Sequence, residues 1–138
     1  MESERLDLIH RLDTTMKATD TGVEIAMDTH VAVSMAVIAS MPTERQPSTA
    51  EIFQAMEQYC PQLTNAVRMQ TRVALLYTYQ GASRKEIAEY IAFGTSPAGT
   101  NYHNTFVSDY KRALLEGSFK WGAHIAELLR QGKSQTEL

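Results

Sequence analysis

Three capping boxes place the strongest constraint on how this chain folds. In each, a Ser or Thr is followed three residues later by Glu, and the pairs are Thr21 with Glu24, Ser48 with Glu51, and Ser83 with Glu86. The hydroxyl of such a pair accepts from the backbone N–H of the Glu, and the carboxylate accepts from the N–H of the first residue. Each pair precedes apolar residues with helical spacing, so the pattern predicts an all-α fold.

The apolar spacing predicts a compact bundle of about six to seven helices. The predicted ranges are about 3–18, 22–41, 49–59, 62–80, 84–93, 97–116 and 119–131. Pro61 is expected to divide the third helix from the fourth, and Gly81, Gly117 and Gly132 are expected at helix ends. At 138 residues the chain is most simply a single domain.

The N-terminal helical pair, residues 3–41, is the expected dimer interface. With Ser34 between the third and the fourth, five residues of its second helix follow the alternating spacing of three and four that a two-helix seam requires: Val23, Met27, His30, Val37 and Met41. Residues 48–132 are expected to form the helical core, and 133–138 a mobile tail. Within that core, the fourth helix is expected to pack through one apolar face, made of Leu63, Val67, Val73, Leu76 and Tyr77.

Composition indicates a cytoplasmic protein. Cys60 is the only cysteine, which excludes an internal disulfide and a multi-cysteine zinc site and fits a reducing compartment. The charged N-terminus does not have the pattern of a secretory signal. The most apolar run, Val31 to Met41, is far shorter than the roughly 20 residues that a bilayer span needs, so no membrane partner is expected.

Charge is divided unevenly along the chain, whose net charge is −3. Residues 1–67 carry four basic residues against ten acidic ones, whereas residues 68–138 carry nine basic residues against six acidic ones. The local balances are therefore −6 and +3. A polyanion site, if the protein has one, is expected in the second half of the chain.

Residues 83–112 have the layout of a short helix, a turn and a longer helix. Ile87, Ala88 and Ile91 provide a packing stripe on the short helix. Gly94 is expected to end that helix with a positive φ, and Ser96 followed by Pro97 is a typical helix start. The turn comprises either residues 94–96 or the longer segment 94–99.

The second helix of this segment begins with residues that can contact bases. Its apolar residues Tyr102, Phe106 and Tyr110 share one face, and small polar residues occupy other faces: Thr100, Asn101, His103 and Asn104. Asn can pair with adenine at two points, and Thr or His can meet other base edges. Basic residues that can hold phosphates lie around it: Arg68, Arg72, Arg84, Lys85, Lys111 and Arg112.

This arrangement resembles the helix-turn-helix unit of DNA-binding transcriptional regulators, here over residues 83–116. The resemblance implies a regulator of bacterial or phage type that reads duplex DNA with the helix at 97–116, as a homodimer on two half-sites. The alternative is an adaptor or anti-activator that binds another regulatory protein through helix–helix contacts without binding DNA. The pI of about 5.8 and the absence of an arginine at the start of the reading helix favour that alternative.

No enzymatic chemistry is readable in the sequence. The four histidines are scattered, with none in a metal-binding spacing, and no nucleotide-binding or nucleophile motif occurs. Cys60 has no accompanying signature of a catalytic thiol. We therefore expect no catalytic residue, no metal and no cofactor.

Overall fold

The computed structural model describes residues 2–136, with side-chain surroundings for residues 3–132. It contains five α-helices and no strand within that range, which confirms the all-α prediction. The helices are α1 (Glu2–Met16), α2 (Ala18–Ala39), α3 (Thr49–Thr78), α4 (Arg84–Thr95) and α5 (Pro97–Thr136), with a short 3-10 turn at Thr43–Arg45.

The helix count is lower than predicted because two expected boundaries do not occur: Pro61 lies inside α3 and Gly117 lies inside α5. Gly132, expected at the end of the last helix, also lies inside α5. Proline removes one backbone hydrogen bond, yet α3 continues through Pro61, and Met56 before it and Leu63 after it are both partly buried. A glycine that ends a helix usually takes a positive φ, and none of the described glycines does. The predicted tail at 133–138 overlaps the last residues of α5 and two residues outside the described range.

Two of the three capping boxes form. At the start of α3 the backbone N–H of Ser48 donates to the Glu51 carboxylate at 2.8 Å, and the N–H of Glu51 donates to the Ser48 hydroxyl at 3.3 Å. The equivalent pair of bonds joins Ser83 and Glu86 at the start of α4. These two pairs confirm the helix starts that the sequence predicts.

The third box is replaced by a different cap. α2 begins at Ala18, so Thr21 lies within the helix, and its N–H donates to the carbonyl of Lys17. Asp13 of α1 takes over the cap, since its carboxylate accepts from the N–H of Thr19 at 2.8 Å and from the Thr19 hydroxyl at 2.7 Å. Both residues are only 7% exposed. Lys17 alone separates the two helices, with φ at 51°.

The chain divides into two compact units. The first contains Met1–Glu24 and Gln62–Asp109, and the second contains Ile25–Pro61 and Tyr110–Leu138. As a result α2, α3 and α5 each contribute a segment to both units.

The first unit is built on the packing of α1 against α4. Its core cluster is Ile9, Leu12, Leu75, Ile87 and Ile91. Leu12 is fully buried and Ile9 and Ile87 are 1% exposed, whereas Ala88 of the predicted packing stripe is exposed. Arg5 of α1 donates to the carbonyls of Tyr79 and Ala82, which lie in and beside the turn after α3. That contact ties α1 to the turn between α3 and α4.

Small residues bring α2 and α5 together in the second unit. A Cβ added at Gly122 would meet the Cβ of Ala36 at 3.0 Å and the carbonyl oxygen of Ala32 at 3.1 Å. Ala32 is 2% exposed and Ala126 is 7% exposed. Elsewhere in the unit, the hydroxyls of Thr29 and Ser118 are 3.2 Å apart and share a hydrogen bond.

Among the described helices, only α2 is long and apolar enough to cross a membrane by length and composition. Its most apolar window has a mean hydropathy of 1.4, and only 6% of that window is buried. The apolar run Val31 to Met41 covers only the second half of this helix and the two residues after it. Asp28 lies near the middle of α2 and would cost about 2.5–3.5 kcal/mol at the centre of a bilayer, which disfavours a span. The cytoplasmic location stays a prediction.

Candidate functional site at the start of α5

A single residue, Ser96, joins α4 to α5. Its hydroxyl accepts from the N–H of Gly99 at 3.1 Å and donates to the carbonyl of Phe93 at 2.6 Å. Ser96 therefore caps α5, as the sequence predicts. Neither form of the expected turn is observed, because Gly94 lies inside α4 and residues 97–99 lie inside α5.

Gly94 and Gly99 are required for close packing and not for a positive φ. A Cβ at Gly94 would lie 2.6 Å from the Cγ2 of Thr15, so the missing side chain admits α1. A Cβ at Gly99 would lie 2.0 Å from the carbonyl oxygen of Phe93. The first turn of α5 is therefore held directly against the end of α4.

The predicted base-reading residues do not share one surface. Thr100, His103 and Asn104 line a cavity of about 270 Å³ whose other walls include Thr15, Lys17 and Thr21. We call this cavity, at the junction of α1 and α2, the junction cleft. Asn101 is exposed and does not line it. Three of the four residues thus face a concave site within the first unit.

Two groups in the junction cleft are notable. The Thr100 hydroxyl donates to the carbonyl of Gly94 at 3.3 Å, which ties α5 to α4. The Nδ1 atom of His103 is buried and has no hydrogen-bond partner, and it is the one such side-chain atom among the described residues. The ring of Tyr102 lies beside it, edge-on, with centroids 6.1 Å apart.

Carboxylates lie next to the predicted phosphate-binding residues of α4. Arg84 forms an ion pair with Glu4 of α1. Lys85 pairs with Glu89 one turn later, with Nζ and Oε1 3.7 Å apart. Both pairs are largely exposed, where an ion pair contributes only about 0–1 kcal/mol to stability. Their carboxylates nevertheless reduce the positive potential that a phosphate would meet.

The remaining basic candidates lie on other elements. Arg68 is exposed and donates to the Asn65 side chain at 3.2 Å. Arg72 lines a second cleft together with Asp7 and His10 of α1. In the second unit, Lys111 is half-buried and Arg112 is exposed, and each makes an interaction of its own.

The predicted dimer seam is neither fully buried nor uniformly exposed. Four of its residues are half-buried: Val23, Met27, Val37 and Met41. His30 is exposed and stacks on Tyr59, with ring centroids 5.7 Å apart. Dimerisation through these residues stays a prediction.

Two residues that the sequence predicts to pack inward, Val73 and Tyr77, are exposed instead, and Met69 extends their row. Met69, Val73 and Tyr77 are 70%, 66% and 73% exposed, and they line a shallow groove of about 520 Å³. We call these three residues the α3 face. Val73 and Tyr77 were predicted to pack inward, but Leu75 takes the buried position. The signal that identifies the surface is a helix with apolar residues on two sides, since one side packs and the other is left over.

The capping box at the start of α4 makes one contribution to stability that depends on pH. Hydrogen bonds from the Ser83 hydroxyl and the Ser83 N–H lower the pKa of Glu86 from its ordinary 4.5. Because the pKa is lower in the folded state, the ionised carboxylate adds stability at pH values above the unfolded-state pKa. That stability is lost as the pH falls through the folded-state pKa.

Glu86→Gln keeps the capping geometry but has no carboxylate to titrate. We expect wild type to be more stable than Glu86→Gln above pH 4.5, with the difference vanishing in more acidic buffer. Thermal unfolding across this range measures it, and a constant difference would contradict the assignment.

No group of three or more His, Cys, Asp or Glu side chains able to hold a metal occurs among the described residues. Comparison of the chain with protein-family models, with curated protein sequences and with solved structures gives no match. The two sites are therefore interpreted from their geometry: a polar cleft at the start of α5 and an exposed apolar face on α3.

Proposed function

We propose that the protein is a binding module that docks an amphipathic helix of a regulatory partner onto the α3 face. The observation that carries this proposal is the exposure of Met69, Val73 and Tyr77. Their spacing of four residues puts them in one row on the helix. Full burial of one such side chain contributes about 1.5–3 kcal/mol, so this row is a large unused source of binding free energy.

The charges beside the α3 face specify the kind of helix that fits. Arg68 and Arg72 border the row on one side, and residues 62–78 contain no acidic residue. An apolar partner helix with carboxylates along one margin would pair with these arginines. Charge complementarity of this kind contributes mainly to specificity and to the rate of association.

The polar residues of α5 support a base-reading role less strongly. Thr100, His103 and Asn104 line a cleft, and Arg84 and Lys85 have carboxylate partners. A reading helix needs several side chains that can enter the major groove together. DNA reading stays a second candidate, supported by the exposure of Asn101, Arg68 and Arg72.

Two synthetic helical peptides test the proposal. Both carry leucines with the spacing of the α3 face, but one is bordered by glutamates and the other by lysines. We expect the glutamate peptide to bind more tightly, by about tenfold for one well-formed charge pair. Fluorescence anisotropy of the labelled peptides measures both affinities. Arg72→Ala should reduce the difference in affinity between the glutamate peptide and the lysine peptide.

Val73→Glu should abolish peptide binding, because it places a charge in the middle of the α3 face. Ala88→Glu is the matched control, since it adds the same charge at an exposed position of α4. Sedimentation measurements on the wild type and on Val73→Glu test whether a second copy of this chain occupies the α3 face. A monomer that binds neither peptide would contradict helix docking. Duplex-DNA binding at low salt by such a protein would favour the second candidate.

A further inference from the structure

Two unusual features meet in the junction cleft. Lys17 is the only described residue other than glycine with a positive φ, at 51°. His103 holds the only described buried side-chain polar atom without a hydrogen-bond partner. Both residues line the same cavity of about 270 Å³. Strained backbone and unsatisfied polar groups concentrate at sites that bind ligands, because the fold keeps them there at a cost to stability.

The lining of the cleft is rich in hydrogen-bond donors and contains no carboxylate. Of its ten lining residues, one is lysine, one histidine and one asparagine, and four are threonines. Two of the threonines, Thr95 and Thr100, already donate their hydroxyl protons to backbone carbonyls. Asp13, which lies close in sequence, has its carboxylate engaged by Thr19 through two hydrogen bonds. Ammonium, imidazole, hydroxyl and amide groups can all donate to an oxygen anion, and bonds to a charged acceptor are the stronger kind.

We propose that the junction cleft binds a small oxyanion of the phosphate or phosphomonoester class. Lys17 supplies the positive charge, and the Thr15 and Thr21 hydroxyls and the Asn104 amide donate to the anion. The His103 ring turns when the anion binds, so that its Nδ1, which is closed to solvent in the free protein, donates as well. The volume leaves room beyond a single phosphate group, so a phosphorylated small molecule fits as well as free phosphate. This site is separate from the α3 face and does not depend on the helix-docking function.

Titration of the full chain with inorganic phosphate and with glycerol 3-phosphate tests the proposal. Amide and imidazole resonances of the cleft residues report binding, with sodium chloride at matched ionic strength as the reference. We expect saturable shifts with both anions and none with chloride. Tighter binding of glycerol 3-phosphate identifies a phosphorylated molecule as the ligand, whereas equal affinities identify free phosphate.

Two variants separate a built site from general charge attraction. Lys17→Gly removes the ammonium while favouring the observed positive φ, so it should fold at least as well as wild type. His103→Phe keeps an aromatic ring and removes both nitrogens. Each variant should weaken binding by about tenfold or more, the usual effect of losing a hydrogen bond to a charged group. Lys120→Ala removes the same charge at an exposed position of α5 outside the cleft and should leave affinity unchanged.

Any of three results would overturn the proposal. The first is the absence of saturable shifts in wild type with both anions at millimolar concentration. The second is retention of wild-type affinity in folded Lys17→Gly or folded His103→Phe. The third is a loss of binding in Lys120→Ala equal to that in Lys17→Gly, which would assign the effect to net charge and not to the cleft.

Discussion

Leu12→Ala is expected to lower the free energy of unfolding by about 2–5 kcal/mol. Leu12 is completely buried, at the centre of the cluster that joins α1 to α4. Truncation removes its apolar contacts and leaves a cavity that Ile9 and Ile87 can fill only by moving from their present positions. Urea denaturation followed by far-UV circular dichroism measures the change. The same packing positions the α1 wall of the junction cleft, so phosphate binding should weaken together with stability.

Leu6→Ala provides the control on the same helix. Its side chain is 50% exposed, so its truncation removes about half as much buried area and leaves no enclosed cavity. We expect a loss of about 1 kcal/mol. Equal losses for the two variants would mean that the α1–α4 cluster does not hold the first unit together as its burial indicates.

Gly99→Ala is expected to destabilise the protein by about 3 kcal/mol, although alanine ordinarily favours a helix. The added methyl group would lie 2.0 Å from the carbonyl oxygen of Phe93, which is backbone and cannot rotate away. The first turn of α5 must then move off the end of α4. We expect this movement to break the hydrogen bonds that Ser96 makes to Phe93 and Gly99.

Gly117→Ala is the matched control, because it makes the same substitution in the same helix. A Cβ there meets nothing within 4 Å. We expect this variant to gain about 0.5–1 kcal/mol from the higher helix propensity of alanine. Opposite signs for the two variants, measured by thermal unfolding, would establish that Gly99 is needed for close contact. A gain at both positions would contradict the tight joint between α4 and α5.

The helical class and several helix starts could be predicted because they depend on neighbours in sequence. Ser48 and Ser83 form the boxes that their glutamates predict, and Ser96 caps α5. Such contacts need only the three or four residues that follow. Helix ends were less predictable. A glycine or proline weakens a helix wherever it lies, and whether the helix stops there depends on distant packing.

The candidate sites depended still more on tertiary structure. The sequence identified Thr100, His103 and Asn104 as notable polar residues, and the structure places all three on the wall of one cleft. Lys17 gave no signal, because nothing in its sequence context distinguishes a left-handed residue from a helical one. The sequence predicts Val73 and Tyr77 of the α3 face as core, because helical spacing alone does not say which of two apolar sides of a helix is covered.

By itself, the sequence determined that this protein is built from helices, where several of them begin, and which residues carry polar chemistry near position 100. These properties follow from hydrogen bonds and side-chain spacing within a few residues. Only the tertiary structure decided that α3 and α5 continue past Pro61 and Gly117, that Gly94 and Gly99 serve close packing, and which apolar row remains exposed. Those outcomes depend on how segments far apart in the chain share buried surface, and spacing along one helix carries no information about its neighbours.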